Sequence, residues 1–184
     1  SMGWPAGPDG DGYALVLLDP ESATDPALAG GWRASGYPGG QPGTDDRLTF
    51  ASWKADYFDA VQLGNSAVSG NLSDPDFDGL TNFVEFILAS DPLIPNTHNA
   101  VQGGVIEVGG EDHFAIIFRR WVGAEELATS IQSSVDGNVW TTAKVVRDSI
   151  SLNGDGTQTE VWRSTDPITA KRVELLRVLG SIPQ

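Results

Sequence analysis

Asp74-Pro-Asp-Phe-Asp-Gly-Leu-Thr-Asn-Phe-Val-Glu85 reads, position by position, as a twelve-residue calcium loop. Calcium is a hard cation that takes roughly six to eight oxygen ligands. The stretch offers the side chains of Asp74, Asp76 and Asp78, the Leu80 carbonyl, Asn82 (directly or through water) and both oxygens of Glu85. Gly79 stands at the sixth position, where the chain turns sharply and a Cβ would be strained. Three carboxylates so close repel one another unless a cation or water screens them. Asp and Gly also favour plain acidic turns. Here, though, every ligand position is filled together with the glycine, so Ca2+ is the expected cofactor.

The loop also determines the segment after it. Leu80, Phe83, Val84, Ile87 and Leu88 recur at helical spacing. Ser90-Asp91-Pro92 stops that helix, because proline disfavours helix in the residue before it. Upstream, Val68-Ser-Gly-Asn-Leu-Ser73 is a poor helix, so the entering helix of an EF-hand is not expected directly before the loop. An earlier helix is predicted over Phe50–Leu63, capped by Thr49, with Phe50, Trp53, Tyr57 or Phe58 and Val61 on one face. The expectation is an EF-hand-like loop–helix module with a structural site, not a paired sensor.

The chain has 184 residues, enough for one large domain or two small ones. With 40 % hydrophobic residues and six tryptophans it can build a packed core. Its net charge of −14 argues against nucleic acid and against anionic membrane surfaces. Residues 1–100 hold 3 basic and 14 acidic side chains, residues 101–184 hold 8 and 11, so most of the excess lies in the first part, some of it in the loop. No cysteine is present, which removes disulfides, thiolate catalysis and Cys-type zinc sites. No apolar stretch is long enough to span a bilayer, so no membrane insertion is expected. Ser1-Met2-Gly3 is expected to be a cloning remnant on an excised piece of a longer protein.

The sequence divides into three regions. Residues 1–43 carry one apolar run, Tyr13-Ala-Leu-Val-Leu-Leu-Asp19, expected as a short buried strand. It is bounded by Asp9-Gly-Asp-Gly12 and Asp19-Pro20, with Trp32-Arg-Ala as a second candidate strand. One strand is not stable alone, so this region must pack on the rest or be a truncated β domain. Residues 44–99 hold the helices and the loop, closed by the linker Pro92–Asn99. Residues 100–184 change period: Val105–Val108, His113–Trp121, Leu127–Val135, Val139–Lys144, Glu160–Arg163 and Val173–Leu179 read as short strands. Asp136-Gly-Asn138 and Asn153-Gly-Asp-Gly156 are the turn signals between them. The fold class expected is mainly β with a small α segment. An antiparallel β-sandwich of immunoglobulin or fibronectin type would succeed the calcium module.

Three local patterns carry a resemblance. Gly3-Trp-Pro, Asp9–Pro20, Gly31-Trp-Arg-Ala-Ser35 and Gly39-Gly-Gln-Pro-Gly43 resemble the closing strands of a bacterial lamin-tail domain. Phe50-Ala-Ser-Trp53, Ser69-Gly and Ser73–Pro92 resemble a calcium module found near the C-termini of large exported proteins of Verrucomicrobia and Planctomycetes, similar in pattern to dockerin and thrombospondin type 3 loops. Phe114–Trp121, Ser134–Trp140 and Arg172–Val178 look like the β domain that often comes after that module. Phe77 departs from the glycine those relatives usually carry at the fourth loop position, and backbone strain is expected there. A dockerin would need a second loop, which tells against cohesin binding. The resemblance implies a non-catalytic accessory region, secreted or at the cell surface. The partners it implies are calcium and a cell-surface component or polysaccharide, and a monomer is expected.

Other chemistry weighs less. His98 and His113, fifteen residues apart, offer no zinc-ligand spacing and no triad. Glu125-Glu126 and Asp45-Asp46 are adjacent acids that read as solvated turns, not as a glycosidase pair. Asn153–Glu160 lacks an acid at the first loop position and reads as a hairpin turn, and Asp9-Gly-Asp-Gly12 gets the same reading. Arg119 and Arg120, as strand neighbours, point to opposite faces and form no single patch. Trp4, Trp32, Trp121, Trp140 and Trp162 leave an alternative open: a carbohydrate-binding accessory module of a polysaccharide-acting enzyme. An exposed coplanar row of tryptophans would favour it, and buried tryptophans would favour the structural reading.

Overall fold

A computed structural model describes residues 4–5, 8, 10, 12–17, 25–43, 47–95, 100–124, 126–168 and 174–182. Asp9, Asp11, Leu18–Pro20, Asp45, Asp46, His98, Glu125 and Val173, all named above, lie outside the described residues. So does the Ser1–Gly3 segment.

The molecule is mainly β, with antiparallel sheets and a small α segment. Strands β1 (Tyr13–Leu17) and β2 (Trp32–Pro38) form a hairpin-like pair. It does not stand alone: Tyr13 and Ala34 share a small buried cluster with Val122, and Leu152 packs against it. Gly123 makes the approach possible. Its φ is +79°, and a Cβ there would lie 3.0 Å from both the Gly36 Cα and the Ser35 carbonyl oxygen. The Tyr37 hydroxyl, 3.0 Å from Asp56 Oδ2, ties the same pair to the first helix.

That helix, α1 (Phe50–Tyr57), starts where the cap is expected. Thr49 Oγ1 accepts from the Ser52 amide at 3.0 Å and Ser52 Oγ accepts from the Thr49 amide at 2.9 Å, a reciprocal box that satisfies two helix-end donors. The Phe50 amide also donates to Glu126 Oε1. The single helix expected over Phe50–Leu63 is in fact two. Asp59 caps a new turn, α2 (Ala60–Leu63), by accepting from the Val61 and Gln62 amides. An Asx cap of this kind competes with helix continuation. The axis therefore changes, and Val61, expected on the buried face, is 82 % exposed. A further turn, α3 (Ser66–Ser69), precedes the loop and α4 (Asn82–Leu88) succeeds it. α4 closes on Ala89 in the left-handed conformation, one residue before Ser90-Asp91-Pro92.

The remaining strands are β3 (Val101–Val108), β4 (Glu111–Trp121), β5 (Ala128–Ser134), β6 (Val145–Leu152), β7 (Thr157–Ser164) and β8 (Leu175–Ser181). They form a four-stranded sheet in the order β3-β4-β7-β6 and a pair, β5-β8. The strand expected at Val139–Lys144 is a turn with one isolated bridge, Ser133 to Thr141, and the real strand is β6. β6 holds its place by pairing with β7 through the Asn153–Gly156 turn, as the hairpin reading requires. Trp53, Phe86, Phe118 and Ile131 are almost wholly buried and belong to one core with Phe50, Ile87, Leu88, Ile116 and Leu127. Residues of the helical segment and of both sheets thus bury one another, each large apolar side chain contributing about 1.5–3 kcal/mol. The fit is close. A Cβ on Gly180 of β8 would stand 2.5 Å from Ile87 Cδ1.

Candidate metal centre

The twelve-residue loop hangs between α3 and α4 and is tied to both. The Asn82 amide donates to the Ser73 carbonyl at 2.8 Å and the Phe83 amide to the Asn71 carbonyl at 3.1 Å. Asn82 is fully buried, and its Nδ2 donates to the Val68 and Gly70 carbonyls at 2.8 Å each. Gly70 is required there, since a Cβ would meet the Ser66 carbonyl oxygen at 2.2 Å. Of Val68–Ser73, a poor helix by sequence, only Val68 and Ser69 are helical, as the end of α3, and the rest is an Asn-clamped turn.

Within the loop, Asp74, Asp76 and Asp78 each offer an oxygen, and these lie within 4.8 Å of one another. Each aspartate also holds the backbone. Asp74 Oδ2 accepts from the Gly79 amide at 3.0 Å, Asp76 Oδ1 from the Asp78 amide at 3.2 Å and Asp78 Oδ1 from the Leu80 amide at 2.7 Å. Asp74 Oδ1, Asp76 Oδ2 and Asn82 Oδ1 are buried and accept no hydrogen bond from the described residues. A buried polar atom left so costs free energy, which a cation ligated there would recover. The donor set is all oxygen and so suits a hard cation. Gly79 has φ +95° and Phe77, 89 % exposed, φ +62°, so the strain expected at Phe77 is present.

Glu85 sits one turn into α4, wholly buried and outside the three-aspartate group. Its Oε1 accepts from Ser90 Oγ at 3.4 Å. Burial pushes its carboxyl up to about 8, and the charges of Asp76 and Asp78 add to the effect. Burial likewise raises Asp76, helped by Asp78 and Asp74 and opposed by the Asp78 amide. The charges of Asp76 and Asp78 are thus felt at both Asp76 and Glu85. Leu80 is half-buried at the seventh position. Ser90, which touches Glu85, carries no signal in the sequence beyond its place beside the helix-stopping proline.

The other candidates resolve into structural roles. His113 is buried with Nδ1 3.0 Å from the Ser164 carbonyl oxygen, and Glu126 caps α1. Arg119 pairs with Asp155 and Arg120 lies 3.6 Å from Glu160 on the other side of the sheet, as strand alternation requires. Trp53 is 1 % exposed, and Trp4, 52 % exposed, tilts at 41° to Trp32. Trp140 lies under Arg177 and Trp162 under Arg147. These form no coplanar row among the described residues. Comparison with known proteins returns no matching family model, no matching curated protein and no matching solved structure.

Proposed function

We propose that this chain is a non-catalytic, calcium-stabilised structural and interaction region of an exported multidomain protein. One observation carries the reading: Asp74, Asp76 and Asn82 each keep a buried oxygen unused while their other polar atom holds the loop. In this reading Asp74, Asp76, Asp78, the Leu80 carbonyl, Asn82 (directly or through water) and Glu85 are the ligands. Calcium supplies positive charge, which offsets repulsion among four carboxylates. The chain does the rest: Asn82 fixes the loop on α3, and Phe86, Ile87 and Leu88 carry α4 into the core shared with β4. The loop is thus an EF-hand-like staple, and the two packed sheets are read as an immunoglobulin-like sandwich that it braces.

The secreted or cell-surface setting rests on the resemblance of the loop segment. A lone loop bearing a strained Phe77 suits the weaker range of extracellular sites, Kd roughly 10⁻⁴–10⁻³ M. Calorimetric titration with calcium tests the reading. One ion per chain is expected, with the heat lost in Asp76→Ala, and an absence of binding at millimolar calcium overturns it.

A further inference from the structure

A cleft of about 670 Å³ opens where the helical segment meets the four-stranded sheet, within the size range of small-ligand sites. Its floor is set by strand register. Arg119 lies opposite Thr159, Trp121 opposite Thr157, and Gln102 of β3 opposite Ile117. These side chains alternate with Ile116 and Phe118, which enter the core, Phe118 also bordering the cleft. Tyr57 at the end of α1 and Leu88–Asp91 at the end of α4 form the wall, and Asp155 of the β6–β7 turn closes one side.

The polar groups are organised in advance. Arg119 Nε donates to Thr157 Oγ1 at 2.7 Å while its terminal nitrogen pairs with Asp155, which also accepts from the Thr157 amide at 3.1 Å. Both partners stay about half exposed, at 46 % and 49 % of their side-chain surface. Arg119 is the one cation among the described lining residues, and it is already paired. Asp91 lies on the wall, and its charge, after burial, helps to hold the Tyr57 hydroxyl protonated. An anionic ligand therefore finds no unpaired cation. A ligand rich in hydroxyls finds donors on Arg119 and Gln102, acceptors on Asp155 and Asp91, and the rings of Tyr57 and Trp121 for its C–H faces.

We propose that this cleft binds a neutral oligosaccharide. The wall adjoins the loop: the Ser90 amide donates to the Glu85 carbonyl at 3.0 Å, and Ser90 Oγ reaches Glu85 Oε1. Calcium loading therefore orders the wall, and this coupling, unlike the cleft itself, rests on the calcium reading above.

Calorimetry with cellohexaose, xylohexaose, mannohexaose and laminarihexaose, with polygalacturonate as the anionic arm, tests the proposal on the full chain in millimolar calcium and in EGTA. At least one neutral hexaose is expected to bind. Gln102→Ala and Arg119→Met, with folding checked by melting curves, are each expected to weaken it about tenfold. Binding of none of the four, binding of polygalacturonate alone, or binding that both variants leave intact overturns the cleft. Equal saccharide affinity in calcium and EGTA, in a protein that binds calcium, overturns the coupling only. A chain that binds the hexaose but no calcium keeps the cleft and removes the calcium reading.

Discussion

Phe77→Gly should stabilise the protein, although it deletes a large aromatic side chain. Phe77 holds φ +62° and is 89 % exposed, so the ring contributes little packing. A left-handed conformation costs a residue with a Cβ about 1–2 kcal/mol. Glycine removes that cost but gives back about 0.5–1 kcal/mol through the greater freedom of the unfolded chain. The net gain is about 0.5–1 kcal/mol, a rise in Tm of roughly 1–4 °C for a chain of this size. Thermal melts of wild type, Phe77→Gly and Phe77→Ala in EGTA and in calcium measure it. Alanine removes the ring and keeps the strain, so it should give no gain. A glycine variant no more stable than the alanine variant would refute the reasoning.

Three further outcomes are expected. Chelation should lower Tm, by an amount equivalent to about 2.7 kcal/mol if calcium was present at a hundred times its Kd, and the Tm of Asp78→Ala, which also loses the Leu80 amide bond, should no longer respond to calcium. Glu85 carries a folded-state pKa of about 8 against an ordinary 4.5, so the metal-free fold holds a proton that the unfolded chain releases. Stability in EGTA should accordingly fall as pH rises between those values, while the increment from calcium grows as the competing proton leaves. Glu85→Gln should flatten the EGTA profile, and a wild-type profile that rises through that window would contradict the assignment. Gly70→Ala should destabilise strongly, because its Cβ would meet backbone at 2.2 Å, with lost far-ultraviolet helical signal as the readout.

Local chemistry with short reach was legible in the sequence. The Thr49 cap, the Ser90-Asp91-Pro92 stop and the Asn153–Gly156 turn each depend on a few neighbouring residues, and each stands where those neighbours place it. The misreadings come from competition and from distance. Asp59 could continue a helix or cap a new one, and its carboxylate takes two amides and caps. β6 alternates only over Ser149-Ile-Ser-Leu152, Arg147 and Asp148 interrupt it at a register shift, and the largely exposed strand is held by its ladder with β7. Asn82 drew notice only as a candidate loop ligand, and its grip on Val68 and Gly70 was not legible, because it depends on how α3 folds back. The cleft drew no signal at all. Tyr57, Gln102, Arg119 and Asp155 come from four separate places, and only the register of β3, β4 and β7 gathers them beside α1.

Hydrogen exchange with calcium and with EGTA tests the staple most directly, because it reports where calcium stabilises the chain. Amide protection is expected to rise across residues 50–90, most strongly at the Asn82 and Phe83 amides that tie α4 to Ser73 and Asn71. The strands after residue 105, held by their own ladders, are expected to change little. Unchanged protection across residues 66–90, or a calcium-driven rearrangement of those strands, would contradict the account.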